Sequence, residues 1–337
     1  MKKEAILYDK LPRGEVKCNI CQRRCIIPEG KKGWCFSRVN EGWILYTIIF
    51  GEVASLSINP IEKKPVFHFY PGSKWLSLGS WGCNFRCPGC QNWEIAHWKG
   101  RGLEKSYYLS PEDQVKMALH HGCLGISWTF NEPTLWFEYT LEAAKLAKEK
   151  GLYTNYVTNG SITEKALILL APYLDVYRVD IKGFSSATYE HIAHFNDFNG
   201  ILRVVEKAKQ YKIHVEIVTN IIPGFNDTDD QLKGIASWIK NSLGSDTPWH
   251  VTRFQPYLEL SRLRPTPIPT LEHARDIGIR SGLSYVYIGN LPGHEGENTY
   301  CPNCNTLLIK RFVFDIIENN LKEGCCPKCG LKVPGRF

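Results

Sequence analysis

From about residue 76 onward, apolar and polar positions alternate between two rhythms. Short runs rich in β-branched and aromatic residues predict strands: KWLSLGS, LGISWTF (124–130), YTNYVTNG (153–160), VYRVDIKGF (176–184), IHVEIVTN (213–220), WHVTRFQPY (249–257) and YVYIGN (285–290). Between them, apolar residues recur three and four positions apart. This spacing predicts helices after Ser110, over 135–150, after Ser161, and over 199–211, 228–243 and 270–281. Ser110 with Asp113 and Ser161 with Glu164 read as helix-capping pairs, and Gly122 and Gly151 as stops. A strand–helix alternation repeated about six times predicts a parallel sheet with its helices outside. The polar stretches NEPT, TNG, DIKGF, TN and RFQPY all fall at the C-terminal ends of the strands, where a β/α barrel binds its ligands. The expected fold is α/β, an incomplete (β/α)6 barrel over residues 76–290. A doubly wound open sheet is the alternative.

The flanks differ. Residues 1–75 are irregular and cysteine-rich, with WILYTIIF (43–50) as a strand, and residues 291–337 form a small C-terminal segment. That apolar run is far shorter than the ~18 residues of a membrane span. The start, MKKEAILYDK, has no apolar stretch of signal-peptide length. A cytoplasmic protein with no membrane contact is expected.

With 43% hydrophobic and 22% charged residues, the 337-residue chain can build an ordinary core. Its formal charge of +7 raises nucleic acid as a partner. That figure counts every thiol as neutral. Two four-thiolate zinc sites and one three-thiolate cluster would bring it down to about +2. The basic residues are also scattered, so a nucleic-acid-binding zinc-ribbon module is the weaker reading. Twelve of the 13 cysteines fall in three groups, at 18–35, 83–90 and 301–329. Such spacing in a reducing compartment favours metal over disulfides. Cys123 stands alone and reads as a buried apolar thiol.

The central group lies in GCNFRCPGC (82–90), directly after the first barrel strand. Cys83, Cys87 and Cys90 can hold three irons of a cubane cluster and leave the fourth iron open. A three-cysteine zinc site completed by a distant histidine is the structural alternative. CNFRCPGC is a C-x3-C-x2-C motif, and from about 76 to 290 the chain resembles the radical S-adenosylmethionine (SAM) enzymes, in particular the pyruvate formate-lyase activating enzymes. Over its whole length, including CNICQRRCIIPEGKKGWC and GHEGENTYCPNC, it is similar to the AmmeMemoRadiSam radical enzymes.

The resemblance implies a [4Fe–4S] cluster and SAM, which would chelate the open iron and be cleaved reductively to a 5′-deoxyadenosyl radical. That radical would take hydrogen from a substrate, so no catalytic acid–base pair is expected. Glu132, in TFNEPT, stands where the activating enzymes carry a Gly-Gly-Glu motif and would accept from the methionine ammonium; Asn131 replaces a glycine there. DIKGF resembles their Asp-Leu-Lys stretch, which places Asp180 and Lys182 along the cofactor's sugar and carboxylate end. Thr158 and Asn159 suit a carboxylate or ribose hydroxyls, Asn220 the ribose, and Arg253 and Gln255 the adenine or substrate. Many relatives carry an aromatic before the third cluster cysteine. Here Gly89 takes that place, with Gln91 and Trp93 nearby, and Trp93 and Trp98 read as core or lid residues. The partners implied are a low-potential electron donor such as ferredoxin or flavodoxin and a substrate. The substrate is either a small molecule or a partner protein whose glycine is activated.

Two knuckles, CPNC (301–304) and CPKCG (326–330), make a zinc-ribbon pattern through Cys301, Cys304, Cys326 and Cys329, with zinc expected and iron the alternative. Cys18, Cys21, Cys25 and Cys35 predict a second four-thiolate site, for zinc or a second iron–sulfur cluster. Their spacing does not match a ferredoxin run. His294, near the barrel rim, reads as a satisfied loop histidine.

Overall fold

In the computed structural model, which describes residues 1–100 and 106–337, one eight-stranded sheet dominates. Its strands are β1 (Ser55–Pro60), β2 (Lys74–Gly79), β3 (Gly125–Trp128), β4 (Tyr153–Thr158), β5 (Val176–Asp180), β6 (His214–Ile221), β7 (Trp249–Arg253) and β8 (Val286–Gly289). They pair strictly in chain order, and only β1 runs antiparallel to its neighbour. Helices cross from strand to strand: α1 (Pro111–His120), α2 (Phe137–Glu149), α3 (Glu164–Leu170), α4 (Ser186–Ala193), α5 (Phe198–Gln210), α6 (Asp229–Trp238) and α7 (Ile268–Arg280). Among the described residues β1 and β8 do not pair, so the barrel stays open, as the repeat pattern predicted.

Amphipathic spacing builds the shell. In α5, Phe198, Ile201, Val204, Val205 and Ala208 share one buried face against the sheet. Ser110 caps α1 as expected, its hydroxyl accepting from the Asp113 amide at 3.0 Å. The second cap differs from the expectation. Thr163, not Ser161, accepts from the Ala166 amide at 3.2 Å, and the Ser161 hydroxyl instead accepts from the Asn84 amide at 2.6 Å. Of these strands and helices, two have no counterpart in the hydrophobic pattern: β1, which lies in the segment assigned to the N-terminal region, and α4.

Residues 61–70 turn under the barrel. Glu216 of β6 is fully buried and anchors this segment, accepting from the amides of Phe67 at 3.0 Å and His68 at 2.8 Å. His250 at 2.7 Å and His214 at 2.9 Å also face it, and their hydrogen bonds and charge outweigh burial to hold its pKa well below the carboxylate range. The C-terminal three-stranded sheet packs against the same corner. Leu308, Ile309 and Val333 meet Phe67 and the β8-side residues Tyr285 and Tyr287. His68 joins the parts, with one ring nitrogen 2.7 Å from the Tyr287 hydroxyl and the other 2.7 Å from the Pro334 carbonyl.

Candidate active site

The parallel strands pair residue for residue without slippage from β2 to β8, so their C-terminal ends all point to one side of the sheet. The polar residues that follow them therefore converge on one cavity of about 370 Å³. Its lining includes Cys83, Cys87 and Cys90, together with Gly89, Gln91, Asn131, Glu132, Thr158, Asn159, Asp180, Lys182 and Asn220.

The loop carrying the three cysteines is clasped from the end of β3. Asn131 accepts from the Ser80 amide at 3.0 Å and donates to the Gly82 carbonyl at 2.9 Å, so its side chain braces the loop. The Cys83 sulfur accepts from the Phe85 amide at 3.4 Å and the Asn159 amide group at 3.8 Å. Burial pushes the thiols up, Cys83 well above its usual range and Cys90 to about 11. Ionising them together requires a nearby positive charge, as iron would supply.

Glu132 is buried and organises the end of β4. One carboxylate oxygen accepts from the Thr134 amide at 3.0 Å and the Thr158 hydroxyl at 2.7 Å; the other accepts from the Asn159 amide at 2.8 Å. Burial raises its pKa against those bonds. Asn159 is committed as well, donating to Asn84 at 2.9 Å and accepting from the Ser161 amide at 3.0 Å. Asp180 lies 2.9 Å from Arg178 and 3.8 Å from Lys182. Burial alone would raise its pKa, but these two cations hold it below the usual carboxylate range. Asn220 donates to the Thr252 hydroxyl at 3.1 Å, tying β6 to β7.

Gly89 has a packing reason. A Cβ there would come within 3.0 Å of Leu260 and 3.1 Å of the Phe254 ring, so these side chains leave little room for a larger residue. Arg253 and Gln255 do not line this cavity. Arg253 donates to the Thr266 carbonyl at 3.0 Å, and Gln255 lines a neighbouring hollow. Trp98 is buried, Trp93 is exposed, and His294 accepts from the Gly296 amide at 2.9 Å within its own loop.

The family model described as Radical SAM superfamily matches residues 80–239, spanning the cluster loop and the Glu132, Asn159 and Lys182 strand ends. Residues 80–239 form a radical SAM domain. An uncharacterized protein of Methanocaldococcus jannaschii is 43% identical, over 98% of both chains. The pyruvate formate-lyase-activating enzyme of Clostridium pasteurianum is 26% identical over 53% of this chain and 77% of that one. In fold, the chain is similar to a radical SAM methyltransferase from Sphaerobacter thermophilus, with a TM-score of 0.51 and 14% identity over 66% of this chain and 68% of that one. Radical SAM proteins use SAM and a [4Fe–4S] cluster, and three sulfurs facing a polar-ended cavity of this size fit both.

The radical SAM cavity also holds residues that sequence reasoning missed. Lys64 is 3% exposed and lines the cavity, with no carboxylate partner among the described residues; its ammonium lies 5.4 Å from the Phe130 ring centre. Burial, then Lys63 and Arg178, pull its pKa down to about 7. Arg178 enters from β5. In sequence, Lys63–Lys64 is a short basic run like any surface pair, and only the turn of 61–70 beneath the barrel brings Lys64 inside.

At the C-terminus, the sulfurs of Cys301, Cys304, Cys326 and Cys329 all lie within 4.8 Å of one another, with Cys301–Cys329 at 3.5 Å and Cys304–Cys326 at 3.6 Å. A tetrahedral ion bound at ~2.3 Å by four thiolates spaces them by about 3.8 Å, so the set suits one ion. Cys325 stays outside the set and Cys123 is buried in the core.

Proposed function

We propose that this chain is an enzyme that uses SAM at a cluster held by Cys83, Cys87 and Cys90 to abstract hydrogen from a substrate lodged at the Lys64 end of the cavity. One observation carries the reading: three cysteines, Glu132, Asp180 and Lys182, drawn from three different strand ends, line a single cavity. When bound, the group would supply a 5′-deoxyadenosyl radical by one-electron cleavage of SAM.

The chain's residues bind, orient and exclude water. The free lone pair on the Glu132 oxygen that serves Asn159 is available to the methionine ammonium. Asp180 suits the ribose hydroxyls and Lys182 the methionine carboxylate. Phe85, Ile192, Ile222, Phe225 and Leu260 give the cavity apolar walls that keep water from a reactive centre. Asn159 tunes the Cys83 sulfur. A ferredoxin- or flavodoxin-class donor would supply the electron. Within the superfamily, the full-length motif pattern supports an AmmeMemoRadiSam-type enzyme.

The distant likeness to an activating enzyme favours, as a second reading, hydrogen removal from a glycine of a partner protein. The buried cations Lys64 and Arg178 favour a small anionic group instead.

The test is low-temperature EPR of anaerobically reconstituted, dithionite-reduced protein with and without SAM, followed by an assay for 5′-deoxyadenosine. A cubane signal that shifts with SAM, and a product lost in Cys87→Ala, is expected. Zinc alone in the metal analysis would sink the reading.

A further inference from the structure

The chain carries three cysteine sets, and their geometry sorts them. Among the described residues, only the C-terminal set has all its sulfurs within 4.8 Å of one another. The barrel set, which suits a cubane, is more open. So is the N-terminal set: Cys18, Cys21, Cys25 and Cys35 line one cavity without closing on each other. Four sulfurs carried by four irons must stand farther apart than four sulfurs sharing one ion.

The room between them agrees. The cavity is about 10 Å³, roughly enough for the centre of one water-sized sphere. Thiolates closed at ~2.3 Å on a zinc ion leave no such room. The surroundings suit a buried anionic cluster. Ile20, Ile27 and Leu135 form apolar walls, and Arg38, 1% exposed, lines the cavity with its Nε lacking any partner. That guanidinium is fixed by two bonds to Glu138, at 2.7 and 2.9 Å, which leaves its Nε–H for the sulfurs.

The two open sets are adjacent. Asn84 directly follows the ligand Cys83 and lines the N-terminal cavity. The Cys35 carbonyl presses on Gly82, where a Cβ would come within 2.7 Å of it. Arg23 donates to the carbonyls of both Asn84 and His194, stapling the segment to the barrel rim.

We infer that Cys18, Cys21, Cys25 and Cys35 hold a second [4Fe–4S] cluster, placed beside the barrel cluster as the entry point for its electron. One electron from a low-potential iron–sulfur or flavin protein reduces the N-terminal cluster. The same electron then passes to the barrel cluster, which returns the N-terminal cluster to its oxidised state. The relay rests on the radical SAM reading; the second cluster does not.

The deciding experiment uses the full chain with Cys83, Cys87 and Cys90 all replaced by alanine, reconstituted anaerobically with iron and sulfide. Mössbauer spectroscopy with metal counting should still show a cubane, at about half the cubane iron of the wild type. Only mononuclear metal in this variant would overturn the second cluster, whatever the fate of the SAM chemistry. Conversely, Cys21→Ser in the otherwise native chain should lose about half the cubane iron and keep the barrel signal. A wild type with a single cubane per chain would also overturn the inference. For the relay, the reduced wild type should show spin–spin broadening absent from both variants. A wild-type EPR spectrum equal to the sum of the two single-cluster spectra would overturn it.

Discussion

The side-chain amide of Asn159 spans two neighbours, the Cys83 sulfur at 3.8 Å and the side-chain oxygen of Asn84 at 2.9 Å. A hydrogen bond to a cluster thiolate eases its negative charge and so favours the reduced state. Asn159→Leu should therefore lower the reduction potential of the barrel cluster by roughly tens of millivolts while iron binding persists. A redox titration followed by EPR reads this directly, and an unchanged potential would remove Asn159 from that role.

Gly82 sits at φ +89°, where an added Cβ would meet the Cys35 carbonyl oxygen at 2.7 Å. Both the backbone conformation and the contact forbid a side chain. Gly82→Ala should cost about 1–3 kcal/mol of stability and lower the cubane iron retained after gel filtration. Urea unfolding and iron counting check the two effects separately.

Lys64 makes stability depend on pH. Burial first, then Lys63 and Arg178, lower its folded pKa to about 7 from an ordinary 10.5. Between those values the unfolded chain holds a proton that the folded chain lacks, so this site adds stability as pH rises through that window. Below about 7 the penalty is present in full. Lys64→Met should flatten the profile between pH 7 and 10 and stabilise the protein by roughly 1–3 kcal/mol near pH 7. Unfolding measured across pH tests this; a profile matching the wild type would show that Lys64 keeps its charge inside the cavity.

The C-terminal sulfurs sit at single-ion spacing in a ribbon with a small core. Cys304→Ala should abolish the bound ion, expose residues 300–330 to protease, and leave the cubane signal of the barrel intact. Metal analysis with limited proteolysis provides the readout.

Much of the site was legible because its residues sit at strand ends, where periodicity stops and polar residues begin. Cys83, Glu132, Asn159 and Lys182 could be placed that way. Elements without a sharp pattern were not legible. SLSINP alternates only weakly, and β1 owes its place to pairing with β2. The segment that forms α4 is short and opens with two serines. Ser161 looked like a cap because the motif has two hydroxyls, and its contact with Asn84 decides which one caps. Lys64 was invisible for another reason. Nothing local separates a lysine that reaches solvent from one turned into a barrel by a distant carboxylate, here Glu216.

That segment has a wider meaning. Residues 61–70 are pinned to the sheet by Glu216 and to the ribbon by His68 and by Arg311, whose guanidinium lies 4.0 Å from the Phe67 ring centre and donates to the Phe67 carbonyl at 3.2 Å. The four ribbon cysteines and the amino group of Lys64 thus stand at opposite ends of one short lever. Disorder in the four-cysteine ribbon would be felt at the far end of the cavity, blurring which substrates fit while the chemistry at the three-cysteine loop itself runs on.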